Sequence, residues 1–208
     1  MVVSLCDRTG NAVRPWAESG FECWCVDIQH SIRRERIEGN IHYVWGDVRS
    51  WVPPCRVDFL MAFPPCTHVA VSGARDFKAK GLRMLTDALD IFNACMFAAG
   101  WSGTPYLIEN PVGVLSSHIR KPDYIFQPWQ YGDNYSKATC LWTGNGFVMP
   151  PPTTVEKPVD CEQSIWRMSP SDDRADLRAV TPMGFARAVF ESNHTRITQW
   201  QNESQKRR

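Results

Sequence analysis

One cysteine and one glutamate stand where a side chain can act on a ligand. Asp58-Phe59-Leu60-Met61-Ala62-Phe63 is an apolar run that predicts a buried strand, Pro64-Pro65 then forbids both helix and further sheet pairing, and Cys66 follows. The thiol is therefore carried out of the carboxyl end of a strand, where ligands bind in open α/β sheets. Tyr106-Leu107-Ile108 predicts another strand, ending at Glu109-Asn110-Pro111, so a carboxyl group leaves the sheet in the same manner. Either residue alone has a bland explanation: free cysteine is among the most buried residue types, and a strand-end glutamate is commonly a solvated one. Together they offer a nucleophile and an acid at neighbouring strand ends.

The segments before them read as alternating strands and turns. Val2 to Cys6 is a short apolar strand, Asp7-Arg8-Thr9-Gly10-Asn11 a turn, and Val13, Trp16 and Ala17 recur at helical spacing until Gly20. Strand, glycine turn and helix in that order is how a nucleotide-cofactor site opens, with helix N–H groups left over for a ligand. Phe21 to Val26 predicts a second strand ending at Asp27, about 20 residues after the turn, where a carboxylate accepts from both ribose hydroxyls. Cys23, Cys25 and His30 offer zinc ligands as an alternative, but no second cysteine pair at finger spacing follows. Ile41 to Trp45 predicts a third strand followed by Gly46-Asp47-Val48. Strand ends at Asp7, Asp27 and Asp47 describe one polar edge suited to an adenosine-like ligand. Thr67 to Asp76, with Ser72-Gly73, reads as a loop able to close over a substrate, and Gly81 to Ala99 as a long amphipathic helix with Cys95 and Met96 in the core.

The 208 residues suit one α/β domain, with 43% hydrophobic and 22% charged residues. The proline-rich 150–180 stretch reads as a short loop region and 195–208 as a flexible tail. No apolar run approaches the roughly 18 residues of a membrane span, and Met1 to Leu5 lacks a signal-peptide layout, which predicts a cytoplasmic chain and no membrane partner. The eight scattered cysteines are read as reduced thiols. A net charge of +1 gives no global electrostatic case for nucleic-acid binding, so any such contact must be local.

Pro64-Pro65-Cys66 and Glu109-Asn110-Pro111 resemble the nucleophile and glutamate motifs of the cytosine-C5 DNA methyltransferases. Ser4 to Asn11 is similar to their cofactor loop, Asp27 and Asp47 to their second and third cofactor motifs, and Tyr131-Gly132 through Lys137-Ala138-Thr139 to the segment that contacts the target base. Thr181-Pro182-Met183-Gly184-Phe185-Ala186 looks like their C-terminal helix. The order of motifs over nearly the whole chain is closest to the compact members found in bacteriophages and prophages.

The resemblance implies a Rossmann-like S-adenosylmethionine-dependent methyltransferase fold, a mostly parallel sheet with helices on both faces. It implies methyl transfer to C5 of cytosine in DNA, with Cys66 adding to C6, Glu109 holding or donating the N3 proton and Asn110 fixing the loop. Asp7, Arg8, Thr9, Gly10, Asn11, Asp27, Ile28, Asp47, Val48 and Pro64 would hold the cofactor, and Pro65, Thr67, Ser72, Lys137 and Thr139 the substrate; no metal is implied. Departures are visible: Arg8 stands at a usual glycine, Thr67 at a usual glutamine, and Lys137 and Thr139 at two usual arginines. Met149 to Thr181 is too short for a separate target-recognition domain. Weak sequence specificity, single-stranded DNA, a free deoxycytidine nucleotide, a protein partner, a homodimer, or a non-catalytic nucleic-acid-binding subunit are the readings this leaves open. Arg75, Lys78, Lys80, Arg120, Lys121, Arg174 and Arg178, with Trp129, Tyr131, Trp142 and Trp166, are further candidates for substrate contact. A phage-encoded member would work in the host cytoplasm.

Overall fold

In the computed structural model the described residues are 1–71, 77–161 and 180–206. They form an α/β fold around one eight-stranded sheet of order β3-β4-β2-β1-β5-β6-β8-β7. The strands are β1 (Val2–Leu5), β2 (Cys23–Asp27), β3 (Arg36–Glu38), β4 (Ile41–Trp45), β5 (Phe59–Ala62), β6 (Tyr106–Pro111), β7 (Tyr124–Phe126) and β8 (Thr139–Gly144). β4, β2, β1, β5 and β6 run parallel, while edge strand β3 and strand β8 run against their neighbours.

Alternation sorts the strand residues onto two faces, both apolar, as buried parallel strands require. Val3, Leu5, Leu60, Ala62 and Ile108 meet Ala88, Phe92, Cys95 and Ala99 of helix α2 (Phe77–Ser102). Val2, Cys23, Cys25, Phe59 and Leu107 face α1 (Arg14–Glu18) and α4 (Met183–Lys206); the fourth helix, α3 (Leu115–His118), is a single turn. Trp16 joins that second layer. It is fully buried, stacks on Phe59 at 4.8 Å, and takes Phe21 and Phe190 edge-on.

Chain order fixes where a ligand can sit. From β1 the chain moves through β2 to β4 on one side, then crosses back to β5 and β6 on the other. The order reverses between β1 and β5, and the crevice at their carboxyl ends is the place such sheets offer to ligands. Leu5 pairs with Ala62, Ala62 with Ile108, and the Phe63 N–H donates to the Leu5 carbonyl, so the loops that start there leave side by side.

Three local expectations are revised. The strand read as ending at Ile108 continues to Pro111, because β8 pairs it as far as Pro111–Thr139, so Glu109 and Asn110 lie within the sheet. Helix α2 begins at Phe77 instead of Gly81, but its path breaks at Gly81, where φ of 74° and ψ of 174° suit glycine and not a helix. The stretch from 195, read as a flexible tail, is helical through Lys206, since Ile197 is buried and holds that part of α4 to the core. The 46–58 connection between β4 and β5 contains no helix. Among the described residues no helix is long and apolar enough to cross a membrane.

Candidate active site

The Cys66 turn is held from three directions. Pro64 and Pro65 stop the sheet, and the Cys66 carbonyl then accepts the N–H groups of Val69 and Ala70 at 3.1 and 2.9 Å, closing a tight turn with the thiol half-buried at its start. After the turn, Ala70 bridges Gly113, while the Val71 N–H donates to Val112 and the Val114 N–H to Val69. Gly113 is required by this clasp, because a Cβ there would stand 2.0 Å from the Val69 carbonyl oxygen. The third restraint is Asn110, 1% exposed, whose side-chain amide donates to the Pro64 carbonyl at 2.8 Å. Pro65 and Thr67 are exposed beside Cys66, whereas Pro64 is buried.

Glu109 sits one residue before Asn110 on β6. Its Oε1 is buried and accepts no hydrogen bond from any described residue, and Lys137 Nζ stands 3.6 Å away, with both side chains less than one-fifth exposed. Asn110 Oδ1 is likewise buried without a donor among the described residues. Asn110 thus presents an acceptor without a donor among the described residues, which costs about 1–3 kcal/mol unless a ligand supplies one, while Glu109 Oε1 beside it has the Lys137 charge but no hydrogen bond. Lys137 is fixed by its own N–H, which donates to Gln127 Oε1 at 2.9 Å. Thr139 is buried within β8 and its hydroxyl donates to the Lys137 carbonyl, so it braces Lys137 and does not reach the surface.

The sequence pattern passed over Asp133 and Tyr135, which complete this wall. Asp133 accepts from the Gly184 N–H at 3.0 Å and caps the start of α4, although burial pushes its carboxyl above the ordinary value. Tyr135 is half-buried; its phenol is pushed up by burial and by the charges of Asp133 and Glu109. A Cβ at Gly184 would meet the Tyr131 carbonyl at 1.9 Å, so α4 and the 131–139 segment fit only with glycine there. Thr181 and Phe185 are buried, and Phe185 stacks on Phe126 at 3.9 Å and meets Tyr131 edge-on.

The strand-end aspartates and the first loop gather at the same sheet end. Asp7 is 4% exposed, and its carboxylate already accepts from the Thr9 N–H and hydroxyl, the Gly10 N–H and the Ser4 hydroxyl. The N–H groups of Thr9 and Gly10 in the first loop are therefore taken, because a buried carboxylate needs donors. Asp7 shapes the loop. Gly10, at φ of 73°, lies under Tyr43, whose hydroxyl would be 2.7 Å from any Cβ. Arg8 is exposed and reaches Gln29 beyond β2; Asn11 is half-buried, its N–H donating to Thr9.

Asp27 is 7% exposed at the end of β2; burial raises its pKa, against the Gln29 N–H it accepts. Ile28 beside it is 61% exposed, an apolar side chain with a carboxylate at its flank. Asp47 is engaged: Arg49 donates to both its oxygens and holds its pKa below the ordinary value. Val48 lines a cavity of about 430 Å³ between the β4–β5 connection and α2, together with Val3, Leu60, Ala94, Phe97 and Trp101. That cavity lies along the flank of the sheet, and neither Cys66 nor Glu109 lines it, so its size says nothing about the chemistry at the strand ends.

The zinc alternative meets Cys23 and Cys25 side by side on one strand face, fully buried in the core, where burial pushes the Cys23 thiol to about 12. His30 Nε2 stands 3.1 Å from the Asp7 carbonyl, so it supports the first loop instead. Lys78 is exposed, Arg120 pairs with Asp123 through two bonds, and Trp142 is core. Ser72 and its loop partner Gly73, Arg75, Trp166, Arg174, Arg178 and the side chain of Lys80 lie outside the described residues. A comparison with known protein families and with curated proteins finds no match.

Proposed function

We propose that this chain is a Rossmann-like methyltransferase that moves a methyl group from S-adenosylmethionine to C5 of cytosine in DNA. The observation that carries the reading is the Asn110–Pro64 bond, which ties the strand bearing Glu109 to the turn bearing Cys66 at the switch point of a doubly wound sheet. A thiol and a carboxyl group locked at a fixed offset are what addition to a pyrimidine requires.

C5 of cytosine is too weak a nucleophile to take a methyl group unaided. The Cys66 thiolate adds to C6, the electron pair of the C5–C6 double bond becomes available at C5, and Glu109 supplies the proton that neutralises N3. Lys137, 3.6 Å from Glu109, provides a cation on the same wall for the base carbonyl. The buried acceptor atoms of Glu109 and Asn110 suit a base edge that carries an exocyclic amino group.

On the cofactor side, buried Asp27 beside exposed Ile28 fits an adenosine, with the carboxylate for ribose hydroxyls and the apolar side chain for the ring. Bound there, S-adenosylmethionine supplies an electrophilic methyl group. Arg8 and Asn11 are the first-loop side chains with reach toward its amino-acid end.

The test is nucleoside mass spectrometry after incubation with S-adenosylmethionine and, separately, single-stranded DNA, duplex DNA or dCMP. 5-Methylcytosine from a DNA form supports the proposal, and product from dCMP alone moves the activity to nucleotides. Cys66→Ala is expected to abolish product while retaining cofactor binding; an active Cys66→Ala enzyme rejects the covalent route.

A further inference from the structure

His68 is a buried-edge imidazole that the chemistry above leaves unused. It belongs to the turn that Cys66 opens, two residues on, and its Nδ1 is buried with no hydrogen-bond partner among the described residues. It lines a cavity of about 290 Å³ with Phe77, Gly81, Leu82, Met84 and Leu85, and among the described residues the only other titratable side chain on that wall is Lys78. The break at Gly81 turns the start of α2 aside just where this cavity forms. A buried ring nitrogen without a partner costs free energy, so its retention beside a nucleophile calls for a task.

Resting on the proposed function, one step still lacks an agent. With sulfur bonded to C6 on one face of the ring, the methyl donor must approach C5 from the other face. The C5 hydrogen is then left on the sulfur side. Its removal needs a base carried by the nucleophile's own turn or its surroundings. Glu109 is committed to N3, Lys137 is its cationic partner, and Tyr135 faces two carboxylates that disfavour its ionisation. Imidazole is the side chain best suited to accept a proton near neutral pH.

We propose that His68 is the base that completes the reaction. Directly or through one bridging water, its imidazole takes the C5 proton; the C5–H electron pair forms the C5–C6 double bond, the C6–S bond breaks, Cys66 leaves as thiolate, and the N3 proton returns to Glu109. The imidazolium then returns its proton to solvent through the adjoining cavity.

The experiment separates methyl transfer from product release. Wild type, His68→Ala and His68→Gln are given S-adenosylmethionine labelled in its methyl group and a single-stranded oligonucleotide with tritium at C5 of its one cytosine. If wild type methylates only the nucleotide, dCMP with tritium at C5 replaces the oligonucleotide. The variants are expected to load one methyl group per chain into a detergent-resistant protein–substrate adduct while tritium release falls about 100-fold, the usual worth of a positioned base. Added imidazole should speed release in His68→Ala. Release in both variants within threefold of wild type overturns the inference, as does loss of the adduct in a His68→Gln chain whose circular dichroism is unchanged. If wild type itself transfers no methyl group to any cytosine substrate, it is the proposed function that fails, and the role of His68 falls with it.

Discussion

Asn110 donates its side-chain N–H to the Pro64 carbonyl across 2.8 Å, linking residues 46 positions apart and holding the glutamate strand to the cysteine turn. Asparagine is needed in that role because an aspartate would set a carboxylate oxygen against a carbonyl. Asn110→Asp is expected to lower kcat about 100-fold, the order of loss that follows a misplacement of about 1 Å at a reacting centre. Affinity for S-adenosylmethionine should stay within twofold, because Asn110 lies on the Cys66 side of the switch point. Calorimetric binding beside a methyl-transfer assay checks both, and an unchanged kcat would remove Asn110 from the positioning of Cys66.

Gly113 meets the same turn from the other side. A Cβ 2.0 Å from the Val69 oxygen cannot be accommodated without opening the Ala70–Gly113 bridge. Gly113→Ala is therefore expected to cost about 1–3 kcal/mol of stability through overpacking, and more activity than that loss explains. Urea unfolding together with initial rates at a temperature where the variant is fully folded separates the two effects. Gly146, in a turn where the nearest atom to a Cβ is 3.5 Å away on the flexible Arg196, serves as a control for backbone strain alone.

What could be read from the chain, and what could not, follows from how local each signal is. Apolar runs ended by Pro64-Pro65 or by Asp27 announce strands and their exits, because burial and proline chemistry act within a few residues. The cysteine and glutamate were legible for that reason. β7 and β8 were not: Cys140 to Thr143 gains its partners from Asn110 and Leu107, a pairing that no spacing within either segment reveals. Asp7 was legible as a carboxylate at a strand end, but the sequence does not show that Ser4, Thr9 and Gly10 already satisfy it. Asp133 and Gly184 carried no pattern at all; each has meaning only against the other.

Asp27 gives the proposed cofactor site a pH dependence with a definite sign. Burial raises its folded-state pKa above 3.8, so the folded chain holds this proton more tightly than the unfolded chain does. The carboxylate therefore costs folding stability once the pH exceeds its unfolded value, and that cost is relieved as the pH falls back through the folded pKa. Ribose hydroxyls need the ionised form. S-Adenosylmethionine affinity is expected to fall as the pH is lowered through that raised value, in a range where an ordinary aspartate stays charged. Asp27→Asn should bind weakly throughout and lose this limb; a wild-type limb that persists in Asp27→Asn assigns it to another group.

The Lys137–Glu109 pair predicts an asymmetry between stability and activity. At 3.6 Å and with side chains only 18% and 15% exposed, the two charges offset each other's desolvation more than a surface pair would. Lys137→Met leaves Glu109 uncompensated and is expected to destabilise the chain by about 1–3 kcal/mol, the cost of stranding a partly buried polar group. Glu109→Gln in the same chain removes the stranded charge, so the double variant should recover part of that loss, a coupling that a double-mutant cycle in urea measures directly. Activity should not follow. In the proposed reaction the ring cannot accept the Cys66 thiolate without the acid at N3, so the double variant is expected to be as inactive as Glu109→Gln alone. Additive stability losses would mean that the two side chains do not interact in solution, and methyl transfer by the double variant would deny Glu109 its part in the chemistry.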